Sequence, residues 1–235
     1  MRSYDQYCAL ARALDRIGHR WTLLVIRELL LGPRRFTDLQ EGLPGIATNL
    51  LSERLRQLQA DGIVTRRELP APAASTVYEL TDAGHELRPT IESLIRWGGR
   101  WMQSGPGDDQ FRVEWLALAL DALGLTDRMS PDMTVELIVD GQRLPLGISN
   151  GRLAVRTEPD PEPQLRVTAD SPTLLGIASG AIPRSDAVDE VDLDPDDLQT
   201  AQKFTELFCP PLQPLPRGAV PQHEDERFRP ENGPS

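Results

Sequence analysis

Cysteine is scarce in this chain. Cys8 and Cys209 are the two present, too far apart to form a disulfide framework and without metal-ligand spacing. The three histidines are scattered and add no metal motif, so neither a metal nor another cofactor is expected. No apolar run reaches the roughly 20 residues that a membrane span needs. The N-terminal MRSYDQYCALARAL lacks the long uncharged core and small-residue cleavage site of a signal peptide. A cytoplasmic protein with no membrane partner is expected. A nucleophile elbow, a phosphate loop and a metal motif are all missing, and the acidic stretch from Asp186 to Asp197 reads as solvated surface, so catalysis is not expected.

What is present is an uneven charge distribution. The net charge of -11 would by itself argue against a nucleic-acid partner. Yet residues 1–104 carry 14 arginines against 12 acidic residues, a net +2, whereas 105–235 carry a net -13. A near-neutral front half with clustered arginines can bind phosphates locally, while the acidic rear half discourages non-specific adhesion. At 235 residues there is room for two modest domains.

The front half is organised around PGIATNLLSERLRQLQADGIV, Pro44 to Val64. Leu51, Leu55 and Leu58 recur at helical spacing on one face, with Leu50 at its edge. Asn49, Ser52, Glu53 and Arg56 then point away from that face, a set of donors and acceptors suited to base edges or phosphates in a major groove. The same pattern describes any solvated amphipathic helix; its surroundings favour the first reading. Cys8 to Gly18 forms an earlier helix with Leu10, Ala13, Leu14 and Ile17 on one stripe. Thr22 to Leu31, after Trp21, is apolar nearly all round and should be buried. Thr37 and Gln40 suggest a capping box for a short helix that ends by Gly42, and Gly42-Leu43-Pro44-Gly45 turns into the central helix. This predicts a helix-turn-helix.

After Asp61-Gly62 the period becomes two, through Ile63, Thr65, Arg67 and Leu69, and a second strand follows at Thr76 to Leu80 beyond the loop PAPAAS. A ribbon in this place is a wing. Thr81 should cap a long helix running through Ile91, Leu94, Ile95 and Trp101, kinked at Pro89. Its apolar face exceeds what so small a domain can cover, which predicts a homodimer.

Taken together, Cys8, GHRWTLLVIRELLLGPRRFTDLQEGLPGI, LSERLRQLQADGIV and VYELTDAG resemble the HxlR-type branch of the MarR-like winged-helix transcription regulators, over about residues 5–102. Two departures stand out. Ala9 follows Cys8 where the family usually has Pro, and Ser75-Thr76 stand where a basic residue usually precedes the strand, implying a weaker wing grip. The resemblance implies double-stranded DNA as partner, with Thr48, Asn49, Ser52, Arg54 and Arg56 on the reading helix. Arg34, Arg35, Arg66 and Arg67 flank it as phosphate contacts, which give affinity without sequence information. Arg54, beside the buried stripe, could instead pair with Asp38 or Glu28. Cys8 occupies the place where some members carry a thiol switch, a candidate redox sensor, though a small apolar residue near the dimer seam explains it as well.

Gln103 to Asp109 reads as a polar linker. Beyond it a helix from about Gln110 to Leu123 is followed by an antiparallel meander, with hairpin turns at Asp140-Gly141 and Asn150-Gly151. A helix starts at Ser171-Pro172 and stops at Gly180, and another runs from Asp194-Pro195-Asp196-Asp197 through Phe208. The order of elements and VTADSPTLLGIASGAIPRSDAVDEVDL resemble the sterol-carrier-protein type of lipid-binding domain. That resemblance implies an apolar tunnel for a hydrophobic small-molecule effector, with Leu174, Leu175, Ile177, Phe204 and Phe208 as candidate lining, or alternatively as ordinary core. The expected architecture is a mainly α winged helix-turn-helix domain (1–104), an α+β domain with an antiparallel-rich sheet (108–209) and a disordered tail (210–235). The expected function is a dimeric, ligand-responsive repressor. The alternatives are a regulator sensing through Cys8, or a lipid-handling protein whose winged helix contacts other proteins.

Overall fold

The computed structural model describes residues 3–70, 75–101, 109–122, 132–150, 152–156, 158–179 and 182–209. The front lobe begins with four helices, α1 (Ala9–Ile17), α2 (Thr22–Leu30), α3 (Phe36–Gly42) and α4 (Thr48–Ala60). An antiparallel ribbon follows, β1 (Val64–Glu68) on β2 (Thr76–Leu80), with Val64 opposite Leu80 and Glu68 opposite Thr76. The backbone of Arg34 bridges to Tyr78 through hydrogen bonds of 3.0 and 2.7 Å, fastening the ribbon to the loop before α3. Val25, Ile26 and Leu29 of α2 meet Leu39, Leu43, Leu51, Leu55 and Leu58 in a core where each is at most 1% exposed. The apolar stripe of the central helix thus faces inward as its spacing requires.

Two local expectations are corrected. The capping box lies two residues earlier than Thr37 and Gln40 suggested, at Arg35 and Asp38. The helix starts at Phe36, and Asp38 accepts a hydrogen bond from the Arg35 backbone N–H at 2.9 Å. Gln40 reaches across the turn instead, donating to Thr48 Oγ1 at 2.9 Å. The helix expected from Thr81 to Trp101 is two helices, α5 (Asp82–His85) and α6 (Arg88–Gly98), with a 3-10 turn at Gly99–Trp101. Thr81 caps α5 by accepting from the Gly84 N–H. Pro89 falls in the first turn of α6, where its missing N–H has no role, and so starts a helix rather than kinking one.

The rear lobe opens with α7 (Glu114–Ala122), then β3 (Met133–Val139), β4 (Gln142–Ser149), β5 (Arg152–Val155), β6 (Leu165–Ala169), α8 (Ser171–Ser179), β7 (Asp192–Asp194) and α9 (Leu198–Phe208). The turn between β3 and β4 uses positive φ at Asp140 and Gly141 (49° and 76°), the backbone that an Asp-Gly hairpin favours. Sheet order is β5-β4-β3-β6-β7. The first three strands form the expected antiparallel meander, but β6 joins β3 in parallel, Val135 opposite Leu165, so the sheet is mixed. Residues 158–164 lead to the end where β3 starts. There Gln164 bonds both the main chain and the side chain of Thr134. Asp197 caps α9 by accepting from Thr200 N–H at 2.7 Å. Residues 102–108 of the expected linker, 71–74 of the ribbon loop, Leu123, Gly151, Gly180 and the tail 210–235 lie outside the described residues.

Helix α7 belongs to both cores. Leu116, Ala117 and Leu120 pack against the sheet, while Leu118 joins the front core. Arg88 of α6 pairs with Asp121 at 2.9 Å and donates to Leu30 O at 3.3 Å. The other Asp121 oxygen accepts from Leu153 N–H of β5, and Arg96 donates to the Ala122 carbonyl. Among the described residues no helix is long and apolar enough to cross a membrane.

Candidate nucleic-acid interface

Burial of Leu51, Leu55 and Leu58 turns the opposite face of α4 outward, leaving Thr48, Asn49, Ser52, Glu53 and Arg56 exposed. The helix first turn arranges these groups. Asn49 Oδ1 accepts from Leu50 N–H at 2.9 Å, which leaves its amide N–H groups for an outside acceptor. Ser52 donates to Thr48 O at 2.9 Å and keeps its lone pairs for an outside donor. Arg56 forms no ion pair or hydrogen bond among the described residues. Gln59, also exposed on α4, extends this polar face by a turn and was not singled out from the sequence, though it follows Arg56 at helical spacing.

The flanking arginines divide. Arg35 is exposed. Arg34 is half-buried, its Nε has no hydrogen-bond acceptor, and its charge acts on Glu114 of the rear lobe. Burial alone would raise the Glu114 carboxyl. The Glu114 N–H, Arg112 and then Arg34 bring it below its ordinary range. Arg54 has a side chain only 14% exposed and lies 3.7 Å from Glu53, so the alternative pairing with Asp38 or Glu28 is not found. Asp38 is committed to the Arg35 N–H and Glu28 to Arg27. On the wing, adjacent strand residues project to opposite faces. Arg66 makes a 3.3 Å bond to Thr76 Oγ1. Arg67 grips Glu79 with three bonds of 2.9–3.0 Å, and these bonds raise its pKa. Its charge is matched within the wing.

Cys8 is exposed at the N-cap of α1, and the backbone N–H groups of Ala11 and Leu10 lower its thiol pKa. Cys209 is the opposite case, a buried thiol pushed up by desolvation. In the rear lobe Leu174, Ile177, Phe204 and Phe208 are at most 2% exposed and packed into the core, with Leu175 at its margin. Phe204 and Phe208 stack at 5.1 Å between ring centroids. These candidate lining residues are brought together, but as interior packing. An open groove of about 530 Å³ lies elsewhere, between α2, the α3–α4 turn and the entry to α7, bordered by Trp21, Leu24, Arg27, Pro44 and Trp115. Among the described residues no group of His, Cys, Asp and Glu could hold a metal ion.

The HxlR-like helix-turn-helix family model matches residues 16–106, which hold α2 to α6 and their ribbon. The uncharacterised HTH-type transcriptional regulator YvaP of Bacillus subtilis is 34% identical over 91 residues, 39% of this chain and 84% of that protein. The chain belongs to the HxlR-like helix-turn-helix family. The HTH-type transcriptional regulator YodB of the same organism is also 34% identical, over 96 residues, 41% of this chain and 84% of that protein. The reduced form of YodB is similar as a solved structure, with 32% identity, a TM-score of 0.37, and coverage of 43% of this chain and 99% of that one. The family match and these sequence relatives make this HxlR-like protein a helix-turn-helix transcriptional regulator. The family match ends at residue 106, before α7 begins.

Proposed function

We propose that the protein is a dimeric repressor that reads double-stranded DNA with α4 and answers a hydrophobic small molecule through its rear lobe. The observation that carries this is the bare polar face of α4, with Asn49, Ser52 and Arg56 exposed on a helix whose other face is locked into the core. Arg35 and Arg66 stand on either side as phosphate contacts. Dimer formation is supported by apolar surface concentrated on α1 and α6. Leu10 is 67% exposed and Trp97 55%, more apolar exposure than isolated helices in water favour. Two copies related by a two-fold axis would set their reading helices about 34 Å apart, one turn of DNA. The rear lobe can change DNA affinity only if its ligand prefers one dimer shape over another. The resemblance of residues 108–209 to sterol-carrier domains is what suggests an apolar ligand.

Sedimentation equilibrium together with operator selection from a random duplex pool tests this reading. A dimer that enriches a two-fold-symmetric site is expected, and a monomer that enriches nothing sinks it. Reporter expression should rise when the gene for the protein is deleted; a fall would make it an activator. A second reading, sensing through a thiol, is favoured by the exposure of Cys8 and the lowered pKa its helix N-terminus gives it. If Cys8→Ser abolishes an oxidant response while fatty acids leave DNA binding unaltered, this second reading replaces the lipid one.

A further inference from the structure

Glu28 is a lone carboxylate in the apolar helix α2 and is 2% exposed. Its Oε1 accepts hydrogen bonds from Arg27 Nε (3.1 Å) and Nη2 (2.7 Å), and from Nε1 of Trp115 (2.8 Å), in the first turn of the rear lobe's first helix. The Arg27 guanidinium lies 4.0 Å from the centroid of the Trp115 ring, and its Nη2 also reaches Gly42 O at 3.4 Å. On the other side of the carboxylate, a Cβ placed on Gly42 would lie 2.6 Å from Glu28 Oε2, so only glycine fits there without displacing it. Gly42 is the last residue of α3. Buried Leu43 follows, then the turn from which α4 departs at Thr48.

A buried carboxylate is tolerated when its charge is matched and its lone pairs are bonded, and removing one partner leaves an uncompensated charge. Arg27 and Trp115 supply those partners from two different lobes. Undocking the rear lobe removes the Trp115 bond and leaves that lone pair of Glu28 unpaired. We propose that Glu28 and Trp115 are positioning residues, which with Arg27 seat the α3–α4 turn against the rear lobe and so set the angle at which α4 meets DNA. Sequence discrimination by α4 then depends on how the rear lobe is docked, and a rear-lobe ligand reaches the reading helix through this joint. The inference rests on the reading that α4 contacts DNA.

The test measures, with the full-length protein, affinity for a duplex enriched from a random pool and for a shuffled duplex, alongside the melting temperature. Trp115→Phe keeps a ring over Arg27 and removes the N–H. It should lower affinity for the enriched duplex about tenfold, within the range of ordinary couplings between sites, while leaving the shuffled duplex unchanged and lowering the melting temperature only modestly, since Arg27 still matches the Glu28 charge and a single donor is lost. A merely structural role would lower both affinities together through the folded fraction. Gly42→Ala should act in the same direction, and less so in a Glu28→Ala background where its methyl has room. Should Gly42→Ala fail to fold, Trp115→Phe decides alone. A wild type that prefers a duplex, with a Trp115→Phe variant that keeps the full preference, overturns this inference and leaves DNA reading intact. A wild type with no preference for any duplex overturns both.

Discussion

The two lobes treat the same residue types differently. In the rear lobe the sheet arginines Arg143 and Arg166 are paired within the lobe. Arg143 and Arg166 both close on Glu136, which is 3% exposed, Arg166 also takes Asp194, and Arg156 takes Asp160. Among the described residues its large apolar side chains are inside or partly covered, with Leu198 at 91% exposure the exception. In the front lobe Arg35 and Arg56 are exposed, and apolar side chains on α1 and α6 face solvent. A lobe that satisfies its own charges and buries its own oily surface needs little from outside. A lobe that leaves both exposed presents surfaces for a polyanion and for another apolar surface. The difference fits the proposed partner-seeking role of the front, even though the mean charge of the whole chain points away from nucleic acid.

The comparison breaks first at the rear core. Phe204→Ala should cost about 3–5 kcal/mol of stability, as large aromatic truncations in close-packed cores do. Urea unfolding checks this, and a loss under about 1 kcal/mol would mean a loose interior with room for a ligand. Next, Arg56→Ala should weaken operator binding by about 1–3 kcal/mol and relax preference at one base pair. Arg143→Ala, on the self-satisfied sheet, should leave binding unchanged; equal losses from the two would erase the distinction between the lobes. If a dimer neutralises about six phosphates, log affinity should fall with log salt at a slope of about -5. Arg66→Ala should make that slope shallower by about 1 for each phosphate no longer neutralised, and Arg67→Ala by less, because Glu79 already holds its charge. Anisotropy titrations across a salt series separate the two arginines. The smallest effect sharpens the contrast between the thiols. A lowered pKa puts the Cys8 thiolate in place at lower pH than an ordinary cysteine, whereas the raised pKa of Cys209 delays it. Iodoacetamide labelling followed by mass spectrometry, as pH rises, should therefore mark Cys8 first; simultaneous labelling would show the helix N-terminus to be without influence.

Much of the front lobe was legible because its signals are local. The Leu51, Leu55 and Leu58 spacing defines both faces of α4, and Asp140-Gly141 defines a hairpin. What was not legible depends on partners distant in sequence. Periodicity marks β6 as a strand but carries no sign of its direction, so its parallel seat on β3 could not be read. The strand β7 is Asp-Leu-Asp, whose composition resembles surface loop. Pro89 is compatible with a kink or a start, and the packing of α5 and α6 decides between them. Among the candidate DNA contacts, the reading-helix residues other than Arg54 emerge exposed as the period implies. Arg54 is nearly covered beside its chain neighbour Glu53, while the half-burial of Arg34 near Glu114 and the grip of Glu79 on Arg67 are set by residues that spacing along the chain does not reveal. Glu28 was named from the sequence only as a possible partner of Arg54, and its Trp115 partner is 87 residues away.

A helix that serves as wall to two rooms cannot be moved with only one of them. Anyone grafting this rear lobe onto a different winged helix would carry α7 along, and with it Leu118 facing a host that has no socket for it and a Trp115 N–H seeking a carboxylate. A chimera of this kind would have to build both receptors into the new host before any signal could cross the seam.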